Sequence, residues 1–147
     1  MNVKIDTREY VSNLKQLIDD GHDVVITVAG WSMKPFLRNG RDRVLLTKTS
    51  ELPKIDDIVL YQRKTGQYVL HRIYKSNSDG YYMMGDYQVD LEGPIDYDSV
   101  FATVTEIERN GRWISAKSFS WKFSSRMWRI LLPLRKLAFW ARKAVFK

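Results

Sequence analysis

Short runs of β-branched, aliphatic and aromatic residues, separated by turn-forming sequences, constrain this chain more than any other feature. They occupy residues 24–29, 43–47, 57–61, 68–74, 81–84, 100–107 and 112–115. Runs of this length and composition form strands, because the pleated backbone suits side chains that are stiff at Cβ and sends successive ones to opposite faces. Between the runs lie Asn39-Gly40, Thr65-Gly66, Ser78-Asp79-Gly80 and Asn110-Gly111. The last two suit tight hairpins, whose central residues need positive φ. The sequence therefore predicts a mainly β fold, an antiparallel sheet curled into a partial barrel.

Two segments of different texture flank these runs. From residue 7 to 20, Tyr10, Val11, Leu14, Leu17 and Ile18 recur at helical spacing, with Asp6 or Thr7 as the N-cap and Gly21 as the stop. Beyond Ser118 the chain becomes rich in Leu, Trp, Phe, Arg and Lys, interrupted by Pro133, and reads as two helical pieces meeting at a bend. The organisation expected is a β domain with an N-terminal amphipathic helix over residues 1–118, then a basic amphipathic segment over 119–147. Charge follows the same division. Of 24 basic and 17 acidic residues, 11 basic and no acidic ones lie in 109–147, which leaves 13 and 17 in the rest.

Composition removes several chemistries. There is no cysteine, so disulfides, a thiol nucleophile and thiolate metal sites are excluded. His22 and His71, the two histidines, have no metal-ligand spacing, and neither a zinc site nor any cofactor is expected. Ser32, in Gly30-Trp31-Ser32-Met33-Lys34-Pro35, falls on a turn after a strand. There it is either a solvated turn residue or a nucleophile whose neighbouring amides can face a carbonyl oxygen. His71 shares a strand face with Val69 and Ile73, which makes it either a satisfied core histidine or a base poised near neutral pH. Asp86, after Gly85, and Asp90 are the candidate carboxylates to assist it. His22, in a Gly-His-Asp turn, reads as solvent-facing, and Tyr81 to Met84 as strand residues.

Taken in order, Gly30-x-Ser32-Met33-x-Pro35, Asp57-Ile58-Val59-x-Tyr61, Val69-x-His71-Arg72-Ile73 and Gly85-Asp86 resemble the motif series of the signal peptidase I and LexA-like serine peptidases. The resemblance spans about residues 24–107. Having His71 where the base belongs, the chain is similar to the Ser-His branch, that of the archaeal and endoplasmic-reticulum signal peptidases, rather than the Ser-Lys one. The resemblance implies that Ser32 attacks a peptide carbonyl, that His71 takes and returns the proton, and that the Ser32 backbone amide helps hold the oxyanion. Two departures affect the motifs. The family's Gly-Asp before Ile-Val is here Asp56-Asp57, and the run after Gly85-Asp86 is Tyr87-Gln88-Val89-Asp90-Leu91-Glu92. The assisting acid is thus open among Asp86, Asp90 and Glu92.

The function expected is limited cleavage of a peptide or protein precursor, bound in an extended conformation as an added strand. Two alternatives use the same scaffold: a degraded, peptide-binding or membrane-associated adaptor, and a self-cleaving LexA-like regulator. The sequence starts without an apolar run, so no leader or anchor is expected and the location read is cytoplasmic, with peripheral attachment to the inner membrane face through residues 119–147 as an option. That segment suits an anionic lipid surface. Alternatively it packs its apolar residues on the β domain and leaves a solvated basic face. Nucleic acid is a disfavoured partner, since no reading module is present.

Overall fold

The computed structural model describes residues 7–49 and 52–145, with side chains described from Ser12 onward. The elements are α1 (Thr7–Asp19), β1 (Val24–Thr27), β2 (Arg43–Lys48), β3 (Ile58–Gln62), β4 (Tyr68–Asn77), β5 (Gly80–Met84) and β6 (Glu92–Ile95). A 3-10 turn at Tyr97–Ser99 leads into β7 (Val100–Arg109), β8 (Arg112–Ser115), α2 (Phe119–Ile130) and α3 (Leu132–Val145). The strands form one open antiparallel sheet in the order β1-β2-β7-β3-β4-β5-β6, with β8 beside the C-terminal half of β7. Register shifts in the β2/β7, β3/β7, β4/β5 and β5/β6 pairs bend the strands and increase their twist.

Each strand expected from the sequence forms. The Asn110-Gly111 turn has φ of 53° and 78°, the backbone a two-residue hairpin loop requires. The strand the sequence did not predict is β6, because Glu-Gly-Pro-Ile carries two strand-disfavouring residues. Both are accommodated at the sheet edge. Gly93 lies so close to β5 that a Cβ there would sit 2.7 Å from the Tyr81 carbonyl oxygen, and Pro94 is on a strand with no further partner. Gly21 ends α1 at φ 94° as expected, and Leu14 and Ile18 are buried, but Leu17 is exposed. The expected cap Asp6, the side chains of Thr7, Tyr10 and Val11, and the tail residues Phe146 and Lys147 lie outside the described structure.

Two apolar clusters occupy opposite faces of the central strands. On β3, Ile58 and Leu60 join Val44, Leu46, Phe101, Val104 and Ile107, whereas Val59 and Tyr61 join Val69, Ile73, Tyr81 and Met83. His71, between Val69 and Ile73 on β4, thus faces the second cluster, while Arg72 faces the other way.

The C-terminal segment breaks at Leu131, next to Pro133, as the sequence predicts. Ser118 caps α2 through the Trp121 amide. Of the two arrangements the sequence leaves open, the one that lays the apolar residues on the β domain and exposes a basic face is not the one formed. Trp121 and Ser125 are the buried residues of α2. Beside them Arg129 bonds Asp56 Oδ1 at 2.7 Å and Arg135 bonds Tyr74 Oη at 2.7 Å. Much of the apolar residue set of α2 and α3 faces outward.

Candidate active site

The Ser32 turn is held from several sides. Gly30, at φ 89°, donates its amide to Asn39 Oδ1, and the Ser32 carbonyl accepts the Tyr87 amide at 2.9 Å. Gly85 is required there: a Cβ at this position would stand 2.5 Å from the Ser32 carbonyl oxygen. Met33 and Leu37 anchor the turn in the first core, and Phe36 packs edge-on against Trp121 and Trp128 of α2. Strand β4 delivers His71 to the same place. Its Nε2 lies 3.2 Å from Ser32 Oγ, and His71 as a whole is 3% exposed.

The partner on the other ring nitrogen decides what this contact can do. Tyr61 Oη lies 3.2 Å from His71 Nδ1 and donates to Glu92 Oε2 at 3.1 Å. An ionised carboxylate only accepts, so the single phenolic proton points to Glu92 and the phenol oxygen accepts from Nδ1–H. Nε2 is then left with its lone pair toward the serine hydroxyl. This tautomer, fixed by the bonding pattern, is the one a serine-activating base needs.

Charge in the cluster sits at its far end. Glu92 is bonded by Arg63 through Nε at 3.0 Å. Burial works against ionisation of Glu92, but the Arg63 hydrogen bonds and charge, with Tyr61, outweigh it and hold the carboxyl below its usual range. Burial also pushes the Tyr61 phenol up, and the nearby Glu92 charge adds to this, so Tyr61 remains protonated. For His71, burial dominates and carries the pKa down to about 4, with Glu92 opposing and Arg63 assisting. The imidazole is neutral across the physiological range.

The candidate carboxylates divide accordingly. Asp86 does not reach His71: it is fully buried on the opposite side of β4, where both its oxygens accept from Arg72, Nε and Nη2, each at 2.8 Å. Consecutive residues on a strand point to opposite faces, so the partner of Arg72 cannot also serve His71. Arg72 completes its donor set with the Asp56 carbonyl and Ser125 Oγ. Asp90 is exposed in the loop before β6 and bonds to neither histidine nor serine. Glu92 is the carboxylate linked to His71, through Tyr61. Sequence reasoning missed Tyr61 and Arg63, although alternation on paired strands was a usable signal: Tyr61 is opposite Val69, two residues from His71 on the same face. His22 is exposed, as expected.

Beside the serine, β4 has an open flank. Strand β3 pairs with Tyr68 to Arg72, but β5 begins its pairing only at Arg72, opposite Met84. Residues 68–71 therefore have a strand neighbour on one side only, and the cleft along their free side is lined by Trp31, Ser32, Gln67, Tyr68, Leu70 and His71. Among the described residues, no cluster of His, Asp or Glu is arranged to hold a metal ion. Compared with protein-family models, curated proteins and solved structures, the chain matches none.

Proposed function

We propose that the protein is a serine endopeptidase making limited cleavages in an extended polypeptide, with Ser32 as nucleophile and His71 as general base. The observation that carries this reading is the hydrogen-bond order Ser32–His71–Tyr61–Glu92, which presents an unprotonated Nε2 to the serine hydroxyl. A buried neutral imidazole has one donor and one acceptor nitrogen to satisfy, so where its two bonds end is what distinguishes a base from a core residue. Here both ring nitrogens are engaged, and the exposed end of the chain of bonds is a serine in a cleft.

In the proposed reaction, Ser32 Oγ attacks the scissile carbonyl carbon as its proton passes to Nε2. The resulting oxyanion faces the backbone amide of Ser32, which donates to no other described group. Collapse breaks the C–N bond, and Nε2–H gives its proton to the departing amine. Water then attacks the acyl-serine carbonyl as its proton passes to Nε2, and Nε2–H returns that proton to Ser32 Oγ as the C–O bond to Ser32 breaks, which restores the free serine and neutral imidazole. The imidazolium formed in each half is balanced by Glu92 acting through Tyr61, with Tyr61 orienting the ring. Substrate enters as a strand on the free flank of β4 at residues 68–71, which supports the extended conformation proposed for it.

Incubating the protein with a peptide library and mapping the cuts by mass spectrometry tests the reading. Cleavage is expected at a restricted set of sites; an untouched library removes the support for an endopeptidase. The resemblance to signal peptidase I and LexA-like peptidases supports the same reaction class.

Two further results are expected of this site. With a base near pH 4, kcat/KM for a cleaved peptide changes by no more than about twofold between pH 7.5 and 5. An ordinary histidine, at about 6.5, would lose about thirtyfold over that interval. The sign follows from the neutral imidazole being the active form, so activity falls only as pH drops toward 4. Tyr61→Phe removes the acceptor for Nδ1–H and the link to Glu92, and kcat is expected to fall about ten- to hundredfold with KM little changed. An equal loss in KM alone would mean that Tyr61 binds substrate and does not position His71.

A further inference from the structure

The two C-terminal helices are amphipathic in the reverse sense to a helix that completes a core. Their polar and aromatic anchors face the β domain. Trp128 Nε1 donates to the Asp86 carbonyl at 2.9 Å, Arg135 Nη1 to the same carbonyl at 3.1 Å, and Ser125 accepts from Arg72. Projected at about 100° per residue, Trp121, Ser125 and Trp128 mark the docked side of α2. Phe119, Phe123, Met127 and Ile130 fall opposite them. On α3, Arg135 and Phe139 mark the docked side, and Leu134, Leu137, Trp140 and Ala141 lie on the other. Solvent exposure agrees: Phe119 is 82% exposed, Phe123 55%, Ile130 60%, Leu134 62%, Leu137 63% and Trp140 62%. Each of the two successive helices thus presents an exposed apolar stripe on the side away from the β domain, covered by no part of the described chain.

The basic residues flank the stripe. Lys122 and Arg126 lie beside it on α2, Lys136 and Lys143 on α3, and residues 119–147 hold eight basic and no acidic side chains. A second copy meeting this face symmetrically would bring these cations against each other. A surface that accepts apolar side chains and carries diffuse negative charge meets both requirements. No helix among the described residues is long and apolar enough to cross a bilayer, so the helices suit lying in its surface.

We propose that the outer face of α2 and α3 docks the protein on an anionic lipid surface, with Phe119, Phe123, Leu134, Leu137 and Trp140 entering the interface and the flanking lysines and arginines meeting headgroups. The Ser32 turn is coupled to this platform through α2, because Phe36 packs on Trp121 and Trp128 on the inner side of that helix. Docking therefore holds the candidate active site beside the membrane. The proposal stands whether or not Ser32 is a nucleophile.

Co-sedimentation of the full chain with vesicles of phosphatidylcholine alone, or mixed with phosphatidylglycerol, tests it. The protein is expected to partition onto the mixed vesicles about tenfold or more tighter, with binding weakened by salt. Replacing Phe123, Leu137 and Trp140 together by serine, at exposed positions, is expected to lower that binding about tenfold or more while circular dichroism and elution volume stay unchanged. Lys122→Gln with Arg126→Gln should flatten the salt dependence. The proposal is overturned if the intact protein stays in the supernatant, or if the triple variant binds as the parent does. It is equally overturned if the stripe instead drives self-association without vesicle binding, or if the protein binds an oligonucleotide and leaves vesicles alone.

Discussion

Ser32→Ala is expected to lower kcat/KM for peptide cleavage by about 10⁴-fold or more, with little change in folding stability. The size follows from what the hydroxyl does in the proposed reaction: without it there is no acyl intermediate, and only binding and the backbone amides remain to accelerate hydrolysis. The small cost in stability follows from its place, a half-buried turn side chain whose bond is to His71. His71→Ala is expected to match it, and the double variant to be no worse than either alone, because nucleophile and base act as a unit. Additive losses would show that the two residues work separately, and the hydrogen bond between them would then be structural.

Asp86→Asn produces the largest expected loss of stability, about 3–5 kcal/mol. The substitution keeps the shape of the side chain but leaves the Arg72 guanidinium, 1% exposed, without a counter-charge. Removing one member of a buried pair costs far more than the pair contributes over an apolar replacement, since the remaining ion stays desolvated. In urea the midpoint should fall by about 2 M, given slopes of 1–3 kcal/mol/M for domains of this size. The fraction that stays folded, measured in stabilising osmolyte, should retain most of its activity. If instead Asp86→Asn kept its midpoint and lost activity as Ser32→Ala does, Asp86 would be the group that assists His71, against the geometry of β4.

How far the sequence reveals this molecule depends on whether a feature is local. The strands of β2 to β5 and the β7–β8 hairpin follow from alternation and turn chemistry, which act within a few residues. So does the inward face of His71, which alternation assigns alongside Val69 and Ile73 and which the second apolar cluster bears out. The identity of its supporting groups is not local. Glu92 comes from an edge strand hidden behind Gly93 and Pro94, and only pairing of that strand with β5 brings it to Tyr61. Asp86 is a candidate from sequence because it follows Gly85 at the end of a strand, but its partner is chosen by the face of β4 it meets. Asp56, where the resembling family has glycine, has φ of 77°. Such a backbone is disfavoured for a side chain, and here the Asp56 carboxylate is held by Arg129 of α2. The tail was hardest to read for a related reason: helical periodicity separates apolar from basic residues, yet says nothing about which side docks. That was decided by Trp128 and Arg135 reaching backbone carbonyls of the Asp86 loop.

The most direct measurement of the central claim is capture of the acyl-enzyme. The full chain is mixed with an activated ester of a short acyl-peptide, quenched in acid during turnover, and its intact mass and peptide map recorded. In this reaction Ser32 Oγ forms a bond to the acyl carbon and the ester alcohol departs. The account predicts one acyl group per chain, located on Ser32, absent from Ser32→Ala and strongly reduced in His71→Ala. Acylation of another residue in preference to Ser32, or no acylation of the intact protein, would contradict it.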